Sequence, residues 1–177
     1  MPNRLVVPFV FIAVLVVSAV VMQSLGDSAE EGVSPTGPES LRQYEVVETL
    51  PPTLTLINKD SKKVDSSLIF AKPTLITFWS VNCGECDIGL PVLDDFASKQ
   101  SQLSINLIST RDQPNDAEEK LSSLGIKLST YYDLDGTTFQ NWGSTMPASY
   151  FITGGKVRYF FPGRISQELL DSLLTVR

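Results

Sequence analysis

Apolar positions in this chain change their period several times, and each change predicts an element. Leu5 to Met22 is almost unbroken apolar sequence, near the lower limit of the roughly 17–25 residues that cross a bilayer as a helix. Periodicity then vanishes from Gly26 to about Gln43, where Ser, Glu, Gly and Pro dominate (Gly32-Val33-Ser34-Pro35-Thr36-Gly37-Pro38), the composition of a flexible tether. Alternation appears at Thr53-Leu54-Thr55-Leu56-Ile57, breaks at Asn58-Lys59-Asp60-Ser61 and resumes at Lys62-Lys63-Val64, predicting a hairpin. The run Thr74-Leu75-Ile76-Thr77-Phe78-Trp79 predicts a buried strand. A helical spacing follows from about Gly84 to Lys99, with Ile88, Val92, Leu93 and Phe96 on one face and a kink expected at Pro91.

A second strand is expected over Leu103–Ser109. A capping box at Asn115-Asp116-Ala117-Glu118 predicts a helix through Leu124 that stops at Gly125. Tyr131-Tyr132-Asp133 leads to a turn at Asp135-Gly136 and a short helix at Thr138–Trp142. Ser149–Thr153, Gly154-Gly155 and Lys156–Phe161 form a hairpin signature. A last helix from Ser166 places Leu169, Leu170, Leu173 and Leu174 inward. Strands alternating with helices imply parallel neighbours with helices on both faces, and the late hairpin adds antiparallel strands. The expected class is therefore α/β, with a central mixed β-sheet flanked by helices. The expected domains are a cytoplasmic N-terminus at 1–4, a transmembrane signal-anchor at 5–23, a flexible linker at 24–44 and one folded domain at 45–177.

Arg4 precedes the apolar run, and Asp27, Glu30 and Glu31 follow it. The positive-inside tendency puts the N-terminus in the cytoplasm and the domain outside. A cleaved signal peptide, cut near Ser24-Leu25-Gly26, competes with the anchor, but the run exceeds the usual 7–15-residue signal core. Either way the domain is exported. The net charge of −6 argues against nucleic acid as a partner. The chain has no histidine, which excludes a Ser-His-Asp triad, a Cys-His nucleophile and a His-ligated metal.

The two cysteines of the 177-residue chain stand together as Cys83-Gly84-Glu85-Cys86. The first sits where a strand gives way to a helix, so helix N–H groups and the dipole favour its thiolate. The second lies one turn later, close enough for a disulfide to close or open with little backbone movement. A purely structural staple is the bland alternative, but so short a loop constrains the unfolded chain little. A zinc site fails by count of ligands, and no cofactor is called for. Glu85 and Asp87 suit a helix start. Glu85 also places like charge near a Cys83 thiolate, which would make the pair more reducing. Trp79 reads as core packing, and Pro147 in Ser144-Thr145-Met146-Pro147 reads on its own as a loop proline.

Taken together, Thr77-Phe78-Trp79-Ser80-Val81-Asn82-Cys83-Gly84-Glu85-Cys86 with Pro91 resembles the active-site segment of the thioredoxin superfamily. The N-terminal anchor, the leading hairpin and an added helix-strand segment around Asn115–Tyr132 narrow the resemblance to the membrane-anchored TlpA/ResA/DsbE-like group. The resemblance implies a thioredoxin-like fold with that N-terminal hairpin and insert, preceded by a transmembrane helix. It implies that Cys83 attacks, that Cys86 resolves, and that Pro147 is a cis-proline facing a redox-active Cys83–Cys86 disulfide. Met146 would modulate the attacking thiol, and Trp79 would lie beneath the site. Thr77 stands where thioredoxin has a buried acid, Asn82 where a large residue is usual, Glu85 where proline is common, and Met146 where Thr or Val is usual. The implied function is a thiol-disulfide oxidoreductase on the extracytoplasmic (periplasmic) side of the inner membrane, favouring reduction. Its partners would be a disulfide-bearing substrate protein, such as apocytochrome c, and a membrane electron donor. A thioredoxin-fold binding or metal-handling protein with a structural Cys pair is the alternative.

Overall fold

The structure, a computed structural model, describes residues 38–143 and 145–176. The predicted anchor at 5–23 and most of the predicted linker lie outside them. Among the described residues, no helix is long and apolar enough to cross a membrane.

Among the described residues, six strands form one sheet in the order β1-β6-β5-β2-β3-β4. They are β1 (Glu45–Thr49), β2 (Thr74–Trp79), β3 (Ser104–Thr110), β4 (Thr130–Asp133), β5 (Ala148–Thr153) and β6 (Lys156–Pro162). The helices are α1 (Ser66–Ile69), α2 (Gly84–Lys99), α3 (Pro114–Ser123), α4 (Thr137–Trp142) and α5 (Gln167–Leu173), with a 3-10 helix at Glu39–Tyr44. β2 pairs in parallel with β3, and β3 with β4. β2–β5, β5–β6 and β1–β6 are antiparallel, so the sheet is mixed, as the order of elements predicts.

β2 is buried at all six positions because helices and loops cover both faces, which explains its unbroken apolar run. Its side chains alternate between two cores. Leu75 and Trp79 pack with Cys86, Leu90, Leu93 and Phe96 of α2 and with Leu170 and Leu173 of α5. Ile76 and Phe78 pack with Leu54, Leu56, Ile69 and Trp142 on the other face. Gly154 and Gly155 turn β5 into β6 at φ 59° and 74°, the left-handed pair that a two-residue hairpin requires.

Several expectations need correction. Among the described residues the fold extends ahead of Glu45: Leu41 in the 3-10 helix is fully buried, and Ser40 meets Ser172 of α5 at 2.8 Å. The Thr53–Val64 hairpin is narrow, held by Asn58 N–H to Lys62 O at 2.9 Å and Val64 N–H to Leu56 O at 3.0 Å. Ile57 docks instead on Tyr132 through reciprocal backbone bonds of 3.1 and 2.9 Å. Ile88 faces solvent at 53% exposure; Leu90 takes its place in the core. Pro91 lies inside α2, as the sequence places it. α3 starts with Pro114 after Gln113 and has no side-chain cap, so Asn115 and Glu118 form no capping box. Its end carries a Schellman pair, Gly125 N–H to Ser122 O and Ile126 N–H to Leu121 O.

Candidate active site

The chain leaves β2 at Trp79 and enters α2 at Gly84. Cys83 is the N-cap residue, with φ −102° and ψ 98°, and its sulfur accepts the Cys86 N–H at 3.2 Å. That is the setting in which a thiolate is the favoured form of a cysteine. The structure holds Cys83 and Cys86 as a disulfide, S–S 2.06 Å and Cα–Cα 5.2 Å. Cys83 is half-buried, whereas Cys86 is only 2% exposed among Leu90, Leu93 and Trp79. An external sulfur can therefore reach Cys83 and not Cys86.

The two sulfurs sit on a fixed platform. Asp87 of α2 pairs with Lys120 of α3 at 2.8 Å. Asp94, two turns along, accepts the N–H groups of Lys127 and Leu128, both at 2.8 Å. Trp79 is fully buried, and its indole N–H donates to Thr130 Oγ1 at 3.1 Å; it is a core residue beneath the site. The Met146–Pro147 peptide bond is cis.

A solvent-open cleft of about 480 Å³ runs past Cys83, lined by Asn82, Glu85, Arg111, Phe139 and Met146. A second, tighter cavity lies behind Cys86, bounded by Thr77, Gly89, Pro147, Ser149 and Arg164. Cys83, Glu85 and Met146 thus share the outer cleft, while Trp79, Cys86 and Pro147 share the inner one. Thr77 Oγ1 and Ser149 Oγ lie 2.8 Å apart, so a bonded hydroxyl pair lines the cavity behind Cys86. Glu85 does not stand alone either. Its carboxylate meets Arg164 Nε at 2.6 Å, and this positive charge offsets the repulsion expected between Glu85 and a Cys83 thiolate.

Sequence reading did not single out the end of β3. Arg111 has φ 62°, a left-handed backbone that costs a residue with a side chain about 1–2 kcal/mol. The twist sends consecutive side chains in opposite directions. Arg111 points to the cleft. Asp112, 7% exposed, turns under the loop before Cys83 and accepts from Ser80 Oγ (3.0 Å), Val81 N–H (3.1 Å) and Ser109 Oγ (2.7 Å). The available signal was positional: ligand sites in α/β sheets lie beyond the carboxyl ends of parallel strands, and Arg111-Asp112 follows one.

Phe139 reaches the cleft from α4, whose start is held by Asp133. This carboxylate accepts Thr138 N–H at 3.1 Å and Phe139 N–H at 2.8 Å. Burial pushes the Asp133 carboxyl above its ordinary range, the two N–H bonds pull it part of the way back, and nearby Asp135 adds a like charge. The folded state therefore holds this proton more tightly than the unfolded chain. The resulting stability is present in full below the unfolded-state value and is lost as pH rises through the folded one. We expect the wild type to gain stability relative to Asp133→Asn as pH falls from 7 toward about 4. Urea unfolding of both proteins at the two pH values measures this; a difference that stays constant or widens in favour of the variant at low pH contradicts it.

No protein-family model matches the chain. The chain is 31% identical over 114 residues to the thiol-disulfide oxidoreductase YkuV of Bacillus subtilis (strain 168), covering 59% of this chain and 76% of that relative. Its fold is similar to that of a secreted Mycobacterium tuberculosis disulfide oxidoreductase homologous to E. coli DsbE, with TM-score 0.61 and 21% identity over 68% of this chain and 94% of the other. It is also similar to StoA from Bacillus subtilis, with TM-score 0.59 and 14% identity over 71% and 96% of the two chains. These structural likenesses establish the thioredoxin-like fold, and the YkuV identity establishes the kinship. With a Cys-x-x-Cys pair at the head of α2 and a relative of that kind across most of its length, the chain belongs to the thioredoxin-like thiol-disulfide oxidoreductases.

Proposed function

We propose that this enzyme works outside the cytoplasm, tethered by Leu5–Met22, and reduces disulfides in substrate proteins. The observation that carries the reaction is the difference between the two sulfurs: Cys83 caps α2 in an open cleft, and Cys86 is sealed behind it. In the reduced enzyme the Cys83 thiolate attacks one sulfur of a substrate disulfide. A bond forms between Cys83 and that sulfur, and the other substrate sulfur leaves as a thiolate that takes a proton from water. Cys86 then gives up its proton and attacks Cys83 Sγ, closing the Cys83–Cys86 bond and expelling the second substrate thiolate. Two electrons have moved from the enzyme to the substrate. A membrane dithiol donor restores the pair by the same exchange in reverse order.

The anchored, extracytoplasmic placement is supported by the apolar run and by the charges flanking it. The reductive direction is supported by resemblance to a mostly reductive group; Glu85 adds less, because Arg164 offsets its charge. Two tasks fit: reduction of apocytochrome c before haem attachment, and repair of wrong disulfides. Expression of full-length Cys86→Ser in cells distinguishes them, because the mixed disulfide on Cys83 can no longer resolve. Mass spectrometry of the trapped adducts should return one dominant partner with a Cys-x-x-Cys-His motif in the first case, and a spread of exported proteins in the second. A variant that accumulates no adduct in growing cells contradicts the proposal.

A further inference from the structure

Three charged side chains line the outer cleft: Glu85, Arg111 and Asp112. Two are already engaged, Glu85 by Arg164 and Asp112 by the loop above it and by Ser109. The Arg111 guanidinium has no ion-pair or hydrogen-bond partner among the described residues, and the side chain is exposed.

Its placement is built by several contacts. The left-handed backbone at Arg111 is secured by its N–H donating to Asp133 O at 2.9 Å. The next residue is anchored beneath the Cys83 loop. The arginine stem lies across Gly136, where an added Cβ would clash with Nε and come within 3.0 Å of Cγ and 3.1 Å of Cζ. Gly136 itself has φ 75°, a backbone that favours glycine whatever the space around it. A strained residue, a glycine that makes room for it and an unused charge thus converge on the mouth of the redox site.

We propose that Arg111 is a specificity residue that receives an aspartate or glutamate side chain carried by the substrate polypeptide near the disulfide that Cys83 attacks. The inference rests on the exchange reaction proposed above and names the class of protein it serves. A guanidinium presents a planar fork of donors that fits a carboxylate. Phe139 and Met146, in the same cleft, offer apolar surface to the residues beside that acid. A purely structural role, shielding Gly136, would need only the arginine stem and would be indifferent to substrate charge.

The test uses the full chain in detergent, kept reduced by dithiothreitol whose own rate is subtracted, and blocked peptides, acetylated and amidated, each holding one internal disulfide flanked by Asp, by Asn or by Lys. The wild type should show KM about fivefold lower for the Asp peptide than for the Asn peptide, with kcat unchanged. The preference should shrink as salt is raised to about 0.5 M. Arg111→Met, which keeps the stem, should lose it, and Arg111→Lys should keep part of it. A wild type indifferent to the flanking charge, or a preference that survives in Arg111→Met, overturns the assignment. Failure to reduce any of the peptides would refute the exchange reaction itself, and the role of Arg111 with it.

Discussion

Cys83→Ser is expected to bring disulfide reduction down by at least about 10³-fold, to the uncatalysed rate, while the fold remains intact. Serine preserves the N-cap, since its hydroxyl oxygen can accept the Cys86 N–H that the sulfur accepts now. It cannot supply a sulfur nucleophile or form a mixed disulfide. The asymmetry of the pair sharpens the expectation. Cys86, at 2% exposure, cannot take over, so the variant should be inactive and should also form no adduct with a disulfide substrate. An insulin-type turbidity assay with dithiothreitol, paired with circular dichroism, separates loss of chemistry from loss of structure. Substantial turnover in a folded Cys83→Ser protein would mean that the inner sulfur is reachable and that the site has been misread.

The second large effect is expected at Asp112. Its carboxylate accepts the Val81 N–H and two hydroxyls, Ser80 and Ser109. Alanine would leave the Val81 N–H without its partner and the loop before Cys83 without its lower support. The hydroxyls can rotate toward other acceptors, but the backbone N–H cannot. Asp112→Ala should therefore cost about 2–3 kcal/mol of stability and reduce turnover, with kcat falling more than KM rises because the attacking sulfur loses its position. Asp112→Asn keeps one carbonyl acceptor and should recover part of both losses. Chemical denaturation and steady-state kinetics on the three proteins check this; an Asp112→Ala enzyme as stable and active as wild type would contradict it.

These two residues differ in how visible they are in the sequence. Cys83 and Cys86 are legible because their meaning is local: a buried run, a junction and a helical spacing lie within a dozen residues. β2, α2 and the β5–β6 hairpin are legible for the same reason, with Gly154-Gly155 marking the turn. Asp112 owes its role to a loop some thirty positions earlier in the chain, and no local pattern reports that contact. Arg111 depends likewise on Gly136. β1 escapes notice because it is an edge strand whose Val47 is 86% exposed, so it lacks the alternation that a half-buried strand displays. Leu41 is a single apolar residue at the end of a Ser-Pro-Gly stretch, and composition conceals it. Ile88 and Leu90 both fit a helical period, and only the position of the sheet selects the second.

The chamber behind Cys86 contains Thr77 and Ser149 as a bonded hydroxyl pair, and its one ionisable side chain besides the cysteine is Arg164, a permanently charged group. Where a thiol and a carboxylate share such a pocket, protons come off in steps that belong to neither group alone. Here, among the described residues, no carboxylate lines the chamber. The proton that the resolving cysteine gives up during exchange therefore meets hydroxyls behind it rather than a carboxylate.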